Sequence, residues 1–283
     1  MYVSMTNMLA KANKENYAVA AINCFNLESA YAVITAAEEM NSPIIIDLLM
    51  EHLQKHLGME TVLPCVIDLA RKAKVHVAIN LDHGKSKDYV VKAIHAGFSS
   101  VMMDSSELTF EQNIKNCQEI CEIAQKNDVS VEAEVGAMGA VKNSQYTNQK
   151  MYTDPAQAIE FVRLVPVTAL AISFGSSHGI MPKDYVPKFN FDILKEIKKA
   201  TNMPLVLHGS SGCGPENISK SVEFGINKVN IGSDVMKAQS DSLCEQYKNN
   251  PDRDFVEIVE TTIQPAIDTV KKYIKIVGSS NKE

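Results

Sequence analysis

The chain has 283 residues and a formal net charge of −6, with 28 Lys and Arg against 34 Asp and Glu. This length accommodates one α/β barrel domain of roughly 250 residues or two smaller domains. A mildly acidic chain without a basic run is not expected to bind nucleic acid. The apolar runs are far shorter than the roughly 20 residues that cross a bilayer. No basic and apolar leader opens the chain, and six scattered cysteines indicate reduced thiols, so we expect a cytoplasmic protein.

Short apolar segments recur along the chain and predict eight strands. They are rich in Val, Ile, Leu and Ala and show little alternation, which is typical of strands buried on both faces of a parallel sheet. The predicted strands are 18–22, 44–48, 75–80, 100–103, 130–134, 169–173, 205–208 and 228–231.

Amphipathic helical patterns separate these strands. The predicted helices are 27–40, 59–74, 87–96, 109–126, 154–164, 191–201, 215–224 and 233–276, the last interrupted near 249–251. Alternating strands and helices favour a single (β/α)8 TIM barrel with extra C-terminal helices, forming one domain over 1–283. A doubly wound open sheet is the alternative, but no G-x-G-x-x-G motif follows the first strand.

Polar residues follow the predicted strands where they end, which is the active-site face of such a barrel. His83 and His178 come shortly after the third and sixth predicted strands, His208 ends the seventh, and each is followed by glycine. Three imidazoles with an open fourth position are a usual catalytic zinc site, although three structural histidines are the other interpretation. Asp82 adjoins the first of them, as a hydrogen-bond partner of a ligand or as an acid/base group. Asn23 ends the first strand and is a further candidate.

Two glycine-containing turns indicate a phosphate site. Residues 209–212 read Gly-Ser-Ser-Gly, and Gly232 with Ser233 precedes the last helical region. Backbone N–H groups in such turns, next to a helix N-terminus, bind phosphate, and many barrels do this after strands seven and eight. The long polar stretch 136–153 is predicted to be irregular and to act as a lid or binding loop, or else to decorate the surface.

At this point the chain resembles a known family, the class II, zinc-dependent ketose-bisphosphate aldolases, which include fructose- and tagatose-bisphosphate aldolases. The resemblance covers nearly the whole chain. The matching stretches are LDHGKS (81–86), AGFSSVMMD (96–104), VEAEVG (131–136), YTDP (152–155), GSSHG (175–179), PLVLHG (204–209) and NIGSD (230–234).

The resemblance implies reversible cleavage of a phosphorylated ketose between C3 and C4, giving dihydroxyacetone phosphate and an aldehyde. It implies zinc as a Lewis acid at the C2 carbonyl, a monovalent cation as a further cofactor, and a homodimer or homotetramer. The implied zinc ligands are His83, His178 and His208, with Glu134 binding the metal in one of its positions. Asp82 is the implied acid/base for the C4 hydroxyl, and Asn230 the implied contact of the dihydroxyacetone part. The implied site for the 1-phosphate consists of Gly179, Gly209, Ser211, Gly232 and Ser233.

Some positions depart from the family pattern. The family's loop reads Gly-Gly-x-Glu-Asp, whereas this chain has Lys142 where the loop glutamate is expected. Leu49 replaces a serine after strand 2, and Arg253 is the candidate for an arginine that the family takes from a neighbouring subunit. These departures keep open a second hypothesis, a zinc- and phosphosugar-binding family member with an altered substrate or without catalysis. A metal-dependent hydrolase on a similar barrel is a third, disfavoured because the strand ends offer mainly histidines.

Overall fold

A closed barrel of eight parallel strands forms the centre of the computed structural model. The structure describes residues 1–136, 139–142, 145–147, 152–178 and 187–283, and only the backbone at 139–142, 145–147 and 177–178. The barrel strands are β1 (Val19–Asn23), β2 (Ile44–Leu49), β3 (Val77–Gly84), β4 (Ser100–Met103), β5 (Ser130–Val135), β8 (Ala169–Ile172), β10 (Leu205–Leu207) and β11 (Ile226–Ile231). Around the barrel the strand order is β1-β11-β10-β8-β5-β4-β3-β2. This confirms the predicted TIM barrel.

Helices surround the barrel. They are α1 (Met5–Glu15), α2 (Leu27–Glu39), α3 (Met50–Lys55), α4 (Met59–Lys72), α5 (Lys87–Ala96), α6 (Phe110–Gln125), α7 (Pro155–Leu164), α8 (Phe191–Thr201), α9 (Pro215–Glu223), α10 (Ser233–Asn249), α11 (Phe255–Glu260) and α12 (Ile263–Ile276). Helices α1, of 11 residues, and α3, of six, are additions to the predicted set. None of the described helices combines the length and apolar character that a membrane span requires.

The described residues of the stretch 136–153 include two strands, where the sequence predicted irregular structure. Strands β6 (Gly139–Lys142) and β7 (Gln145–Thr147) pair in antiparallel fashion, and β6 also pairs with β9 (Ser177–His178). The register places Ala140 beside His178. These strands are short, so they contain too few apolar residues to show the hydrophobic periodicity from which strands are predicted.

The inside of the barrel is layered. At its N-terminal end, Met5 and Leu9 of α1 are fully buried in a cluster with Val19, Ile45 and Val206 of the strands, so α1 closes this end. Towards the other end the inward side chains become polar and charged, although they are just as buried. The members of this upper layer with no or almost no exposure are Asp47, Asn80, Ser100, Glu132 and Lys228.

An irregularity in β3 shapes the C-terminal end. Leu81 pairs with Val101, but the next pair is Gly84 with Met103, so two residues stand between successive pairs on one strand against one on the other. The backbone of His83 is in the left-handed region, with φ of 48°. In a regular strand, consecutive side chains point to opposite faces. The bulge re-aims one of them, and Asp82 and His83 therefore reach the same cavity.

We predict that Gly84→Ala destabilises the protein by about 1–3 kcal/mol, as overpacking does. A Cβ at this position would lie 2.5 Å from the Met102 carbonyl oxygen and 2.5 Å from Val90 Cγ2. Urea unfolding measures the effect. Gly58→Ala is the control, because its Cβ would meet only the flexible end of Glu60, and it should cost less than about 1 kcal/mol. Equal stability of Gly84→Ala and the unmodified protein would contradict the prediction.

Candidate active site

A cavity of about 370 Å³ lies at the C-terminal ends of the strands. Ten of the predicted site residues line it, contributed by β1, β3, β5, β11 and the segments after β10 and β11: Asn23, Asp82, His83, Glu134, His208, Gly209, Ser211, Asn230, Gly232 and Ser233. The cavity is also lined by Leu49, Met50, Glu51, Lys85, Asp104, Ser106, Glu107 and Ser210. The fold therefore brings these predicted residues together at one mouth.

Two histidines face each other across this cavity. His83 Nε2 and His208 Nδ1 are 3.1 Å apart. The opposite nitrogen of each ring meets a carboxylate: His83 Nδ1 lies 2.8 Å from Asp104 Oδ2, and His208 Nε2 lies 2.7 Å from Glu132 Oε1. A carboxylate on the far side of an imidazole fixes its tautomer, so that the near nitrogen keeps its lone pair. Without a metal, the 3.1 Å separation is a hydrogen bond, so a proton lies between the two near nitrogens. Once that proton leaves, both lone pairs are directed at the same region of the cavity.

Carboxylates complete this arrangement. Ligand atoms of Asp82, His83 and His208 all lie within 4.8 Å of one another, as do those of His83, Asp104 and Glu134. Glu134 Oε2 is buried without a hydrogen-bond partner among the described residues. Burial raises the pKa of Glu134 to about 8, with the Asp104 carboxylate adding to the effect. The Glu134 oxygen, which has no hydrogen-bond partner among the described residues, and the two imidazole nitrogens together form a set of ligand atoms suited to zinc.

Asp82 is held as a carboxylate beside the two rings. Burial alone would raise its pKa, but the neighbouring His83 and His208 and the buried Lys228 hold the pKa below its usual value. Asn23 Nδ2 donates to Asp82 Oδ2 at 2.8 Å, and Asn230 Nδ2 lies 3.4 Å from Asp82 Oδ1. Both oxygens are thus oriented by amide donors, and the group is ready to accept a proton from a bound molecule.

The two glycine turns meet at the same mouth. Gly209 adopts a positive φ of 61°, and Ser211 Oγ accepts a hydrogen bond from the Asp234 backbone N–H at 3.3 Å, which ties the first turn to the start of α10. A Cβ on Gly232 would lie 2.7 Å from Asn23 Oδ1. Glycine is therefore required there for the backbone to approach the site, and the N-terminus of α10 opens beside it.

Other predicted residues lie elsewhere or outside the described part. Arg253 follows α10, where its guanidinium pairs with Glu257 at 3.0 Å, and it does not line the cavity of its own chain. The side chains of Lys142 and His178 are outside the described residues, as is Gly179. The register of β6 and β9 gives the backbone position of the first two.

Sequence reasoning gave no role to four buried charged residues. Asp104 and Glu132 fix the two rings, and Lys228 contacts Glu132 and Asp47 beneath them. A signal was present, because a charge inside an otherwise apolar strand is rarely buried unless it is paired. Glu132 precedes Glu134 by two residues and Lys228 precedes Asn230 by two, which places each pair on one face of its strand.

We predict that protein freed of divalent metal by chelation loses stability as pH rises. Burial alone would lower the pKa of His83, but Asp82 and the hydrogen bond with Asp104 raise it from 6.5 to about 10. A raised folded-state pKa stabilises the fold fully below 6.5, and this contribution is lost as pH rises through about 10. One proton corresponds to at most about 1.4 kcal/mol per pH unit. Urea titrations measure the slope, and an equally steep slope in His83→Gln would contradict the assignment.

Comparison with known proteins adds the family. The family model described as fructose-bisphosphate aldolase class-II matches residues 3–282. The chain is 37% identical to "Fructose-bisphosphate aldolase" of Mycoplasma genitalium over 100% of both chains, and 37% identical to "Probable fructose-bisphosphate aldolase" of Bacillus subtilis over 99% of both. Its fold is similar to the crystal structure of the YdjI aldolase from Escherichia coli K12, with a TM-score of 0.88, 31% identity, and coverage of 100% of this chain and 99% of that one. The chain therefore belongs to the class II fructose-bisphosphate aldolase family.

Proposed function

We propose that this aldolase uses zinc to cleave a phosphorylated ketose, of the fructose or tagatose bisphosphate type, to dihydroxyacetone phosphate and an aldehyde. The observation that supports this best is the pair of imidazole nitrogens 3.1 Å apart, each backed by a buried carboxylate, with Asp82 alongside. Family membership supports the aldolase chemistry itself. The proposal treats 1–283 as one domain. The cytoplasmic location, the homo-oligomer and the monovalent cation stay predictions.

The proposed zinc ligands are His83 through Nε2 and His208 through Nδ1. His178 is the third proposed ligand, on the motif in the sequence, and Glu134 is the carboxylate that can join them. When bound, zinc supplies a Lewis acid beside the substrate carbonyl. Asp104 and Glu132 act from behind the rings, where a carboxylate raises the basicity of a ligand and holds its orientation.

Asp82 is the proposed acid/base. In the cleavage direction, its carboxylate accepts the proton of the C4 hydroxyl as the C3–C4 bond breaks. The C4 oxygen becomes the aldehyde carbonyl, and the electron pair of the broken bond stays with the C3 fragment. The low pKa of Asp82 in this site keeps it ionised before the step. Asn23 and Asn230, which hold its two oxygens, keep it facing the cavity.

The two turns after β10 and β11 are the proposed site of the 1-phosphate. Gly209 and Ser211 in the first turn, and Gly232 and Ser233 in the second, line the cavity on the side where α10 begins. Backbone N–H groups and the helix N-terminus together favour an anion. A ketose whose phosphate lies there extends its carbon chain towards Asp82 and the two imidazoles.

The proposal is tested with chelator-treated protein, zinc and a panel of ketose 1-phosphates and 1,6-bisphosphates. We expect zinc to restore release of dihydroxyacetone phosphate, measured with a coupled reductase. Asp82→Asn should bind zinc as the unmodified protein does but lose about 10²- to 10⁴-fold in kcat, as for loss of a general acid/base. Absence of zinc binding, or full turnover by Asp82→Asn, would show the assignment to be wrong.

The residue Lys142 favours a second candidate, a family member with an altered substrate or without catalysis. The family's loop glutamate exchanges the proton on the carbon next to the carbonyl, and this chain has a lysine at that position. We expect Lys142→Glu to increase cleavage of ordinary ketose bisphosphates if the loop has been redirected or damaged. Exchange of the dihydroxyacetone phosphate proton into D₂O, followed by NMR, separates the two candidates: an aldolase of any specificity exchanges it, whereas a binding protein does not.

A further inference from the structure

A lysine lies fully buried inside the barrel, immediately beneath the candidate site. Lys228 on β11 has no solvent exposure, and it does not line the cavity. Its ammonium Nζ lies 2.9 Å from Glu132 Oε2 and 3.6 Å from Asp47 Oδ2. It also donates a hydrogen bond to Asn230 Oδ1 at 2.8 Å. Both carboxylates and the amide belong to neighbouring inward positions of the barrel.

Glu132 connects the Lys228 ammonium to the imidazole of His208. One oxygen of Glu132 takes Lys228 and the other meets His208 Nε2 at 2.7 Å. Because Lys228 holds Oε2, Glu132 presents Oε1 to the ring and accepts the hydrogen bond from His208 Nε2–H, which leaves His208 Nδ1 as the acceptor that faces the cavity. Without Lys228, Glu132 would lose the contact that fixes its second oxygen, and the ring would lose the fixed acceptor that selects its tautomer.

Through Asn230, the same ammonium fixes a donor at the cavity wall. The amide oxygen of Asn230 is occupied by Lys228, so its NH₂ group is turned towards Asp82 Oδ1, 3.4 Å away, and His208 Nδ1, 3.5 Å away. An amide without such a partner can adopt either of two orientations, which exchange a donor for an acceptor. Lys228 therefore selects the orientation that offers N–H to Asp82 and to the cavity.

Stability alone gives a poor reason for this lysine. A buried ion cluster loses hydration on every member, and replacing it by apolar residues of similar volume is often neutral or stabilising. Lys228 is in register with Val19 of the apolar cluster around α1, and its ammonium reaches Asn230, which lines the cavity. A charge at this boundary is well placed to act on the side chains above it.

We propose that Lys228 is a positioning residue of the active site, which sets the His208 tautomer through Glu132 and the amide orientation of Asn230. The inference rests on the proposed function, because its consequences are metal affinity and turnover. Lys228 does not line the cavity and is not among the proposed metal ligands. It determines which atoms the residues above it present.

The test compares Lys228→Met with Lys198→Met. Lys198 is a matched control because its Nζ donates to Asn227 Oδ1 at 2.7 Å and to the Met203 carbonyl at 2.8 Å, and neither acceptor lines the cavity. Zinc affinity is measured by competition with a chromophoric chelator, and the ligand geometry by the visible spectrum of the Co²⁺-loaded protein. We expect Lys228→Met to lose about 10- to 100-fold in zinc affinity, as when outer partners of metal ligands are removed. Its Co²⁺ spectrum and kcat should change as well. Lys198→Met should lower the stability to urea, keep zinc affinity and kcat within about twofold, and leave the Co²⁺ spectrum unchanged.

If Lys228→Met fails to fold, the double variant Lys228→Met/Asp47→Asn removes one charge of each sign and keeps Glu132, whose other oxygen still meets His208 Nε2. We expect this variant to fold and still show reduced kcat and a changed Co²⁺ spectrum, because Asn230 has lost its anchor. Wild-type zinc affinity, spectrum and kcat in either variant would overturn the role of Lys228. Failure of the unmodified protein to bind zinc or cleave any ketose phosphate would instead contradict the proposed function.

Discussion

The pairing of one buried ammonium with two buried carboxylates is the constraint on which the mouth of the barrel depends. Lys228, Glu132 and Asp47 have no solvent exposure, and each ion loses several kcal/mol of hydration on burial. Only a close and well-directed arrangement offsets that loss, so these side chains have little freedom. His208 is hydrogen-bonded to Glu132, and Asn230 to Lys228, so the orientations of both side chains are restricted as well.

The net charge of the chain bears on how it could bind an anionic sugar. With a net charge of −6, the chain does not attract a phosphate by its overall charge. In the proposed function the positive potential is local: the turns at Gly209 and Gly232, which line the cavity, and the N-terminus of α10 offer backbone N–H groups to the phosphate. Because these N–H groups belong to the backbone, they carry no titratable charge. The turns themselves also contribute no cationic side chain beside Asp82 and the two imidazoles.

Much of the fold was predictable from the sequence, since strands buried on both faces leave apolar runs and their helices leave a period. The grouping of His83 and His208 was also predictable, because parallel strands end on one rim. The bulge at β3 was not, because a bulge depends on the register between two strands rather than on either one. The roles of Asp104 and Glu132 were not predictable for a related reason. Which carboxylate meets which ring nitrogen depends on contacts 21 and 76 residues apart in the chain.

Because α1 closes the N-terminal end of the barrel, it limits how small molecules and protons reach the cavity. Met5 and Leu9 seal the N-terminal end with apolar side chains, and the polar layer lies between this seal and the cavity. Among the described residues, the cavity at the C-terminal rim is therefore the route by which the proposed substrate and product enter and leave. In the proposed function, a bound sugar would cover Asp82, so proton exchange with solvent would follow the entry and departure of the sugar.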